Sequence, residues 1–300
     1  MPSWDEIIGT VDRHPNGVLD NIRGEYIRKM AKKRGRNVIC YYSGWLQDPQ
    51  GSPYCSLSDS DMEGFMTNIH GFDRDKGLDL ILHTPGGDLA AAENLVNYLR
   101  ACFGTNIIAF VPHLSMSAGT MIACSCKEIY MGRQSAIGPT DPQFGGVAAG
   151  GVIEEFNQAV KETTRLIYFT DEVDEFDAQI IGKYPPTYLG DCQKAVEASQ
   201  KMVAEWLKTN MLSTCADGES KSRSIAEWLG THANSAMHNR HITADVAEKH
   251  GLTIKRLEED SELQDIVLTI HHAYMATFER SGAKKMIENS NGKSWIRIVS

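Results

Sequence analysis

The sequence has no run of about eighteen apolar residues, the minimum for a helix to cross a bilayer, and no charged-then-apolar opening of a secretory leader. A cytoplasmic protein with no membrane span is expected. A disulfide framework is missing too. The seven cysteines, at 40, 55, 102, 124, 126, 192 and 215, are odd in number and irregular in spacing, as reduced thiols are. Nor is there a basic excess: the net charge of −9 argues against a nucleic-acid partner, because neutralising phosphates takes a basic face. Cys124-x-Cys126 has no second cysteine pair at finger-like spacing and lies in an apolar stretch, so buried thiols are expected there, even with His232, His238 and His241 further on. No metal or other cofactor is expected.

What the chain has is alternation. Its 300 residues, 42% of them hydrophobic, suffice for one large α/β core. Apolar β-rich runs near 37–42, 78–83, 107–111 and 127–131 are separated by helical stretches near 58–70, 89–103 and 118–125. Such a repeat predicts right-handed crossovers and a mainly parallel sheet whose carboxyl edge gathers the turns. Before it, Asp20 to Lys33 reads as a helix, with Lys32-Lys33-Arg34-Gly35-Arg36 as a solvated basic end complementing the helix dipole. Downstream, Cys192 to Leu207 is amphipathic. Leu263 to Phe278 is another such helix, with His271 and His272 on it, expected to pack on the domain or a neighbouring subunit. Five acids between Asp171 and Asp177 read as a solvated loop. The expected organisation is a helical extension over 1–36, a central domain over 37–255 and a helical extension over 256–300.

Two strand-turn-helix junctions carry the chemistry. Ser115-Met116-Ser117-Ala118-Gly119-Thr120 follows the apolar run Ile107 to Val111 and passes into a helix, which places the Ser117 hydroxyl beside the free N–H groups of a helix start. A helix-capping role for Ser117 is the structural alternative. Upstream, Leu78 to His83 ends in Thr84-Pro85-Gly86-Gly87. Paired glycines accept positive φ and bring exposed N–H groups close to a ligand. Acyl transfer needs both parts, a nucleophile and an oxyanion receptor a few ångströms apart.

His83-Thr-Pro-Gly-Gly87, Met116-Ser-Ala-Gly-Thr120, Gly138-Pro-Thr-Asp-Pro-Gln143 and Ile242-Thr-Ala-Asp-Val-Ala-Glu-Lys-His-Gly-Leu252 resemble, in order and spacing, the serine dehydrogenase proteinase family. That family groups with signal peptide peptidase A and the Clp protease proteolytic subunit in the ClpP/crotonase superfamily. The resemblance runs from roughly Asp79 to Leu252. It implies a ClpP/crotonase-like spiral of β-β-α units and a serine peptidase acting on peptide or protein substrates. Ser117 would be the nucleophile, and the N–H groups of Gly86 or Gly87 and of Ala118 would receive the oxyanion. A homo-oligomer, as trimer, hexamer or stacked ring, is implied as well, with an unfoldase as a possible partner. A change at Gly87 is expected to hurt catalysis more than folding.

The base is less legible. No histidine lies between His113 and His232, and where the Clp relative keeps its catalytic histidine this chain has Asp141 or Pro142. A lysine, as in the signal peptide peptidase relatives, is one candidate: Lys161, Lys183 or Lys194, with Lys183 flanked by apolar Ile180-Ile181 and a turn that could lower its pKa. His238 is another, oriented by Asp141 in exchanged roles. His113, four residues before Ser117, is the third. Two further classes share these motifs: a crotonase-type enzyme would use the same amides on an acyl-CoA thioester without a serine nucleophile, and a scaffold would keep the oligomer without the chemistry.

Overall fold

The apolar runs become strands because each is covered on both faces, which is why they read as continuous rather than alternating. A computed structural model describes residues 17–48, 50–144, 146–170, 179, 182–231 and 240–299. Helix α1 (Val18–Arg34) leads into β1 (Asn37–Ser43), followed by α2 (Asp61–Ile69), β2 (Leu78–His83), α3 (Leu89–Phe103) and β3 (Ile107–Val111). The short β4 (Leu114–Ser115), α4 (Ala118–Cys124) and β5 (Ile129–Met131) come next. Short strands β6 (Ala136–Ile137), β7 (Gln143–Phe144) and β8 (Val147–Ala148) precede the long helix α5 (Ala149–Thr170), then α6 (Pro186–Thr209) and α7 (Gly218–Gly230). Finally come β9 (Ile242–Thr243), α8 (Ala244–Lys249), β10 (Ile254–Arg256), α9 (Ser261–Arg280), β11 (Ala283–Asn289) and β12 (Ser294–Ile298). The Asp171–Asp177 loop lies outside the described residues.

The main sheet has the order β10-β5-β3-β2-β1-β11-β12. The first five strands are parallel, whereas β11 is antiparallel to β1 and β12 to β11. Residues of β1 alternate between two cores. Ile39 and Tyr41 join Leu80, Leu82 and Ala109 beneath α2, α3 and α4, while Val38, Cys40 and Tyr42 join Ile81 and Phe110 beneath α1 and α9. A separate sheet, β4-β6-β9, sits at the carboxyl edge.

Two expectations are corrected here. The stretch 256–300 is not simply a helical extension, because after α9 the chain forms a hairpin that widens the central sheet beside β1. Ala-Lys-Lys-Met-Ile-Glu-Asn looks too charged to be a core strand. Yet Lys285 is only 1% exposed, its ammonium paired with the equally buried Asp61. The basic end of α1 is likewise not merely solvated: Arg34 Nε reaches Asp79 Oδ2 at 2.8 Å, and Arg36 pairs with the other oxygen of that wholly buried carboxylate. An unpaired carboxylate inside the sheet would cost several kcal/mol, so the two guanidiniums are drawn to it.

Candidate active site

One backbone pairing assembles the site. Thr84 N–H donates to Leu114 O at 3.1 Å and Met116 N–H to Thr84 O at 2.9 Å, so Thr84, just beyond β2, pairs in parallel with Ser115 at the end of β4. Both segments then advance two residues in the same direction, which sets Gly86 beside Ser117. A Cβ built on Gly86 would stand 2.6 Å from Ser117 Cβ and 2.8 Å from Ala118 N. Gly119 permits the contact from the other side, since a Cβ there would meet Thr84 Cγ2 at 2.5 Å. The motif's Thr120 closes the framework: its hydroxyl donates to Ser115 O at 2.7 Å and accepts from Gly138 N–H at 2.9 Å, tying in the Gly-Pro-Thr-Asp turn.

Ser117 has φ 50 and ψ −120, and among the described residues no other non-glycine has positive φ. Holding it there costs about 1–3 kcal/mol. The hydroxyl makes no capping hydrogen bond to α4, so the capping alternative fails and the strain serves to present the side chain at a sharp turn. The amides differ in availability. Gly86 N–H donates to Thr84 Oγ1 at 3.1 Å. Gly87 sits in a parallel bridge to Leu57, in which Leu57 N–H donates to Gly86 O at 2.7 Å and Asp88 N–H to Leu57 O at 3.0 Å. The N–H of Gly87 itself therefore faces away from Leu57. Ala118 N–H belongs to the first turn of α4 and has no intrahelical acceptor. A Cβ at Gly87 would strike Leu57 N and O, so a change there would damage the fold as well as the site, contrary to expectation.

These atoms border a cavity of about 610 Å³ lined by Pro85, Gly86, Gly87, Ser117 and Ala118, together with Asp141 and the apolar Met121, Phe144 and Met202. Asp141 is 1% exposed; its neighbour Thr140 is fixed through N–H to Leu229 O at 2.9 Å and through its carbonyl to Ser199 Oγ at 2.8 Å.

The lysines are elsewhere. Lys183 is exposed, its ammonium 5.1 Å from the Tyr184 ring centre, so it lacks the desolvation expected for it. Lys194 is 80% exposed and faces Asp191 at 3.6 Å; Lys161 is exposed too. Among the described residues, no lysine or histidine lines the cavity. His238 lies outside the described residues. The strand that follows it, β9, is adjacent: Ile242 pairs with Ile137, which also pairs with Ser115. His113 is turned into a cluster with His83 and His271, ring centres 5.0–5.6 Å apart. Burial first, and neighbouring imidazoles second, hold all three below the usual histidine range. Among the described residues no group of His, Cys, Asp and Glu is arranged to hold a metal ion. The thiols of Cys124 and Cys126 are buried, which raises both and pushes Cys126 up to about 12.

A strained serine and a double-glycine turn meeting where parallel strands end, beside a cavity, fit the ClpP-like serine proteinases. Residues 16–267 match the family of ClpP-like SDH-type serine proteinases, and the chain belongs to it. Its fold is accordingly ClpP/crotonase-like. The uncharacterized protein MJ0137 of Methanocaldococcus jannaschii is 27% identical over 269 residues, covering 88% of this chain and 82% of that protein. A second uncharacterized protein of that organism, MJ1495, is 28% identical over 184 residues, 59% of this chain and 62% of its own length. A mutant of 1510-N, a membrane-bound stomatin-specific protease, is similar over 70% of this chain and 79% of its own, at 18% identity and a TM-score of 0.41. In the present chain, no helix among the described residues is long and apolar enough to cross a membrane.

Proposed function

We propose that the protein is a serine peptidase in which Ser117 attacks the scissile carbonyl. The N–H groups of Gly87 and Ala118 receive the oxyanion. Gly86 N–H is already taken by Thr84, so Gly87 is the donor of the pair. The approach of the glycine turn to Ser117 and Ala118, at 2.6–2.8 Å from the Gly86 Cβ position, carries this reading. Of the bases the sequence offers, Lys161, Lys183 and Lys194 are exposed and His113 is stacked among other histidines, which leaves His238, with Asp141 orienting the imidazole. What supports that pair is the burial of Asp141 in the Ser117 cavity and the pairing of β9 with β6. Peptide or protein substrates and a homo-oligomeric assembly complete the proposal.

A fluorophosphonate probe tests it. Labelling should be lost in Ser117→Ala, and peptide cleavage with it. The rate should rise with pH through the range where an imidazole loses its proton, and His238→Ala should abolish that limb. No labelling at any pH tried would sink the nucleophile. Turnover of an acyl-CoA thioester left unchanged by Ser117→Ala would favour the crotonase-type alternative instead.

A further inference from the structure

Behind the glycine turn lies the buried Asp61–Lys285 pair, both residues 1% exposed. Lys285 Nζ also donates to Ser56 O at 2.9 Å. Asp61 Oδ2 accepts two hydrogen bonds, from the Tyr41 hydroxyl and from Ser58 N–H, each at 3.0 Å. From that pair a short route runs to a single peptide unit: Lys285 holds Ser56 and Asp61 holds Ser58, on either side of Leu57, whose N–H grips Gly86 O at 2.7 Å.

The unit this route reaches is the Gly86–Gly87 peptide. Its C=O and the Gly87 N–H lie in one plane and point opposite ways, so holding the carbonyl to Leu57 aims the N–H away from Leu57. With a glycine on each side, at φ 91 and φ 151, no Cβ resists rotation of that plane. It needs an external hold. A buried ion pair is weak evidence of stabilisation, and here its hydrogen bonds converge on the one amide plane whose rotation would remove a donor from the cavity.

We infer that Asp61 and Lys285 are positioning residues that lock the Gly86–Gly87 peptide with Gly87 N–H turned toward Ser117. The inference rests on the acyl-transfer reading above. Lys285 belongs to β11, beyond the family match at 16–267, so the C-terminal hairpin is part of the device.

The test uses Tyr41→Phe, which removes a hydrogen bond that holds the Asp61 carboxylate and keeps the ring, and the doubly neutral Asp61→Asn/Lys285→Met, which leaves no unpaired buried charge. In both, kcat on a peptide and the rate of fluorophosphonate labelling should fall about ten- to a hundredfold with KM changed less than about twofold, since misplacement by about 1 Å costs on that order. Hydrogen exchange should quicken in fragments covering 56–58 and 84–88 and stay unchanged in 107–111. Wild-type kinetics and wild-type exchange at 84–88 in the folded variants would overturn the lock. If the wild type itself neither labels nor cleaves, the acyl-transfer reading has failed, and exchange at 84–88 still decides the lock.

Discussion

Replacing Gly86 by alanine tests the meeting of the two turns most directly. The new Cβ would stand 2.6 Å from Met116 O and from Ser117 Cβ and 2.8 Å from Ala118 N, about 0.6–0.8 Å inside the 3.4 Å where ordinary contact begins. Two of these three are backbone atoms, held by the Thr84–Ser115 pairing and the start of α4. They do not rotate aside, so the turns must part by most of that overlap. A displacement approaching 1 Å between reacting groups costs about a hundredfold in rate. Separately, an alanine at φ 91 costs about 1–3 kcal/mol of stability. Gly104 supplies the control: it has φ 61 and nothing within 4 Å of its Cβ position, so Gly104→Ala carries the backbone cost without the clash. The assay pairs urea denaturation with the rate of fluorophosphonate labelling at Ser117. Gly86→Ala should lose about 10²-fold in labelling and Gly104→Ala none, while Gly104→Ala loses about 1–3 kcal/mol of stability and Gly86→Ala, with the clash added, more than that. A folded Gly86→Ala protein labelled within about threefold of the wild-type rate would refute the requirement for that close approach.

Other outcomes follow from the same geometry. Ser117→Gly should abolish labelling yet raise stability by about 1 kcal/mol in urea denaturation, because glycine accepts the strained φ; an equal or lower stability would contradict stored strain at that turn. Asp79→Ala should cost about 3 kcal/mol or more, since it leaves Arg34 and Arg36 facing the emptied place of a fully buried carboxylate. Stability should also fall in mild acid. His83 and His271 are held neutral by burial, below the ordinary value of 6.5, so above that pH neither the folded nor the unfolded chain is charged at them. As pH drops below it, the unfolded chain takes up protons that the folded one refuses, and stability declines by about 1.4 kcal/mol per pH unit for each histidine. Urea midpoints at neutral pH and near pH 5.5 measure this, and because His113 in the same cluster is also held below its ordinary value, His271→Phe should reduce the slope by about a third. An unchanged midpoint would show that the cluster accepts protons when folded.

Much of this was legible in the residues because its causes are local. The runs Leu78–His83 and Ile107–Val111 and the helix Leu89–Phe103 were bounded correctly by apolar pattern and turn residues. The glycine turn and the Ser117 junction were legible for the same reason, each being a short segment whose residue types state its conformation. Ser117 gave no sign of its positive φ, since serine tolerates a cap position just as well, and only the surrounding framework imposes the strain. Nothing nearby in sequence marked Leu57, Tyr41 or Asp61 as neighbours of the glycine turn. The C-terminal hairpin was hidden because Lys284, Lys285 and Glu288 read as surface, and the lysine that becomes buried does so only once Asp61 is there to pair with it.

The amino-acid sequence by itself determined the strand-turn-helix rhythm, the family and the two turns, all set by hydrophobic periodicity and backbone freedom within a few residues. Only the tertiary structure decided which turns meet, which amide is free and which charges go inside. Those outcomes depend on register between distant strands and on the cost of burying a charge alone, and neither quantity exists until the whole chain has folded.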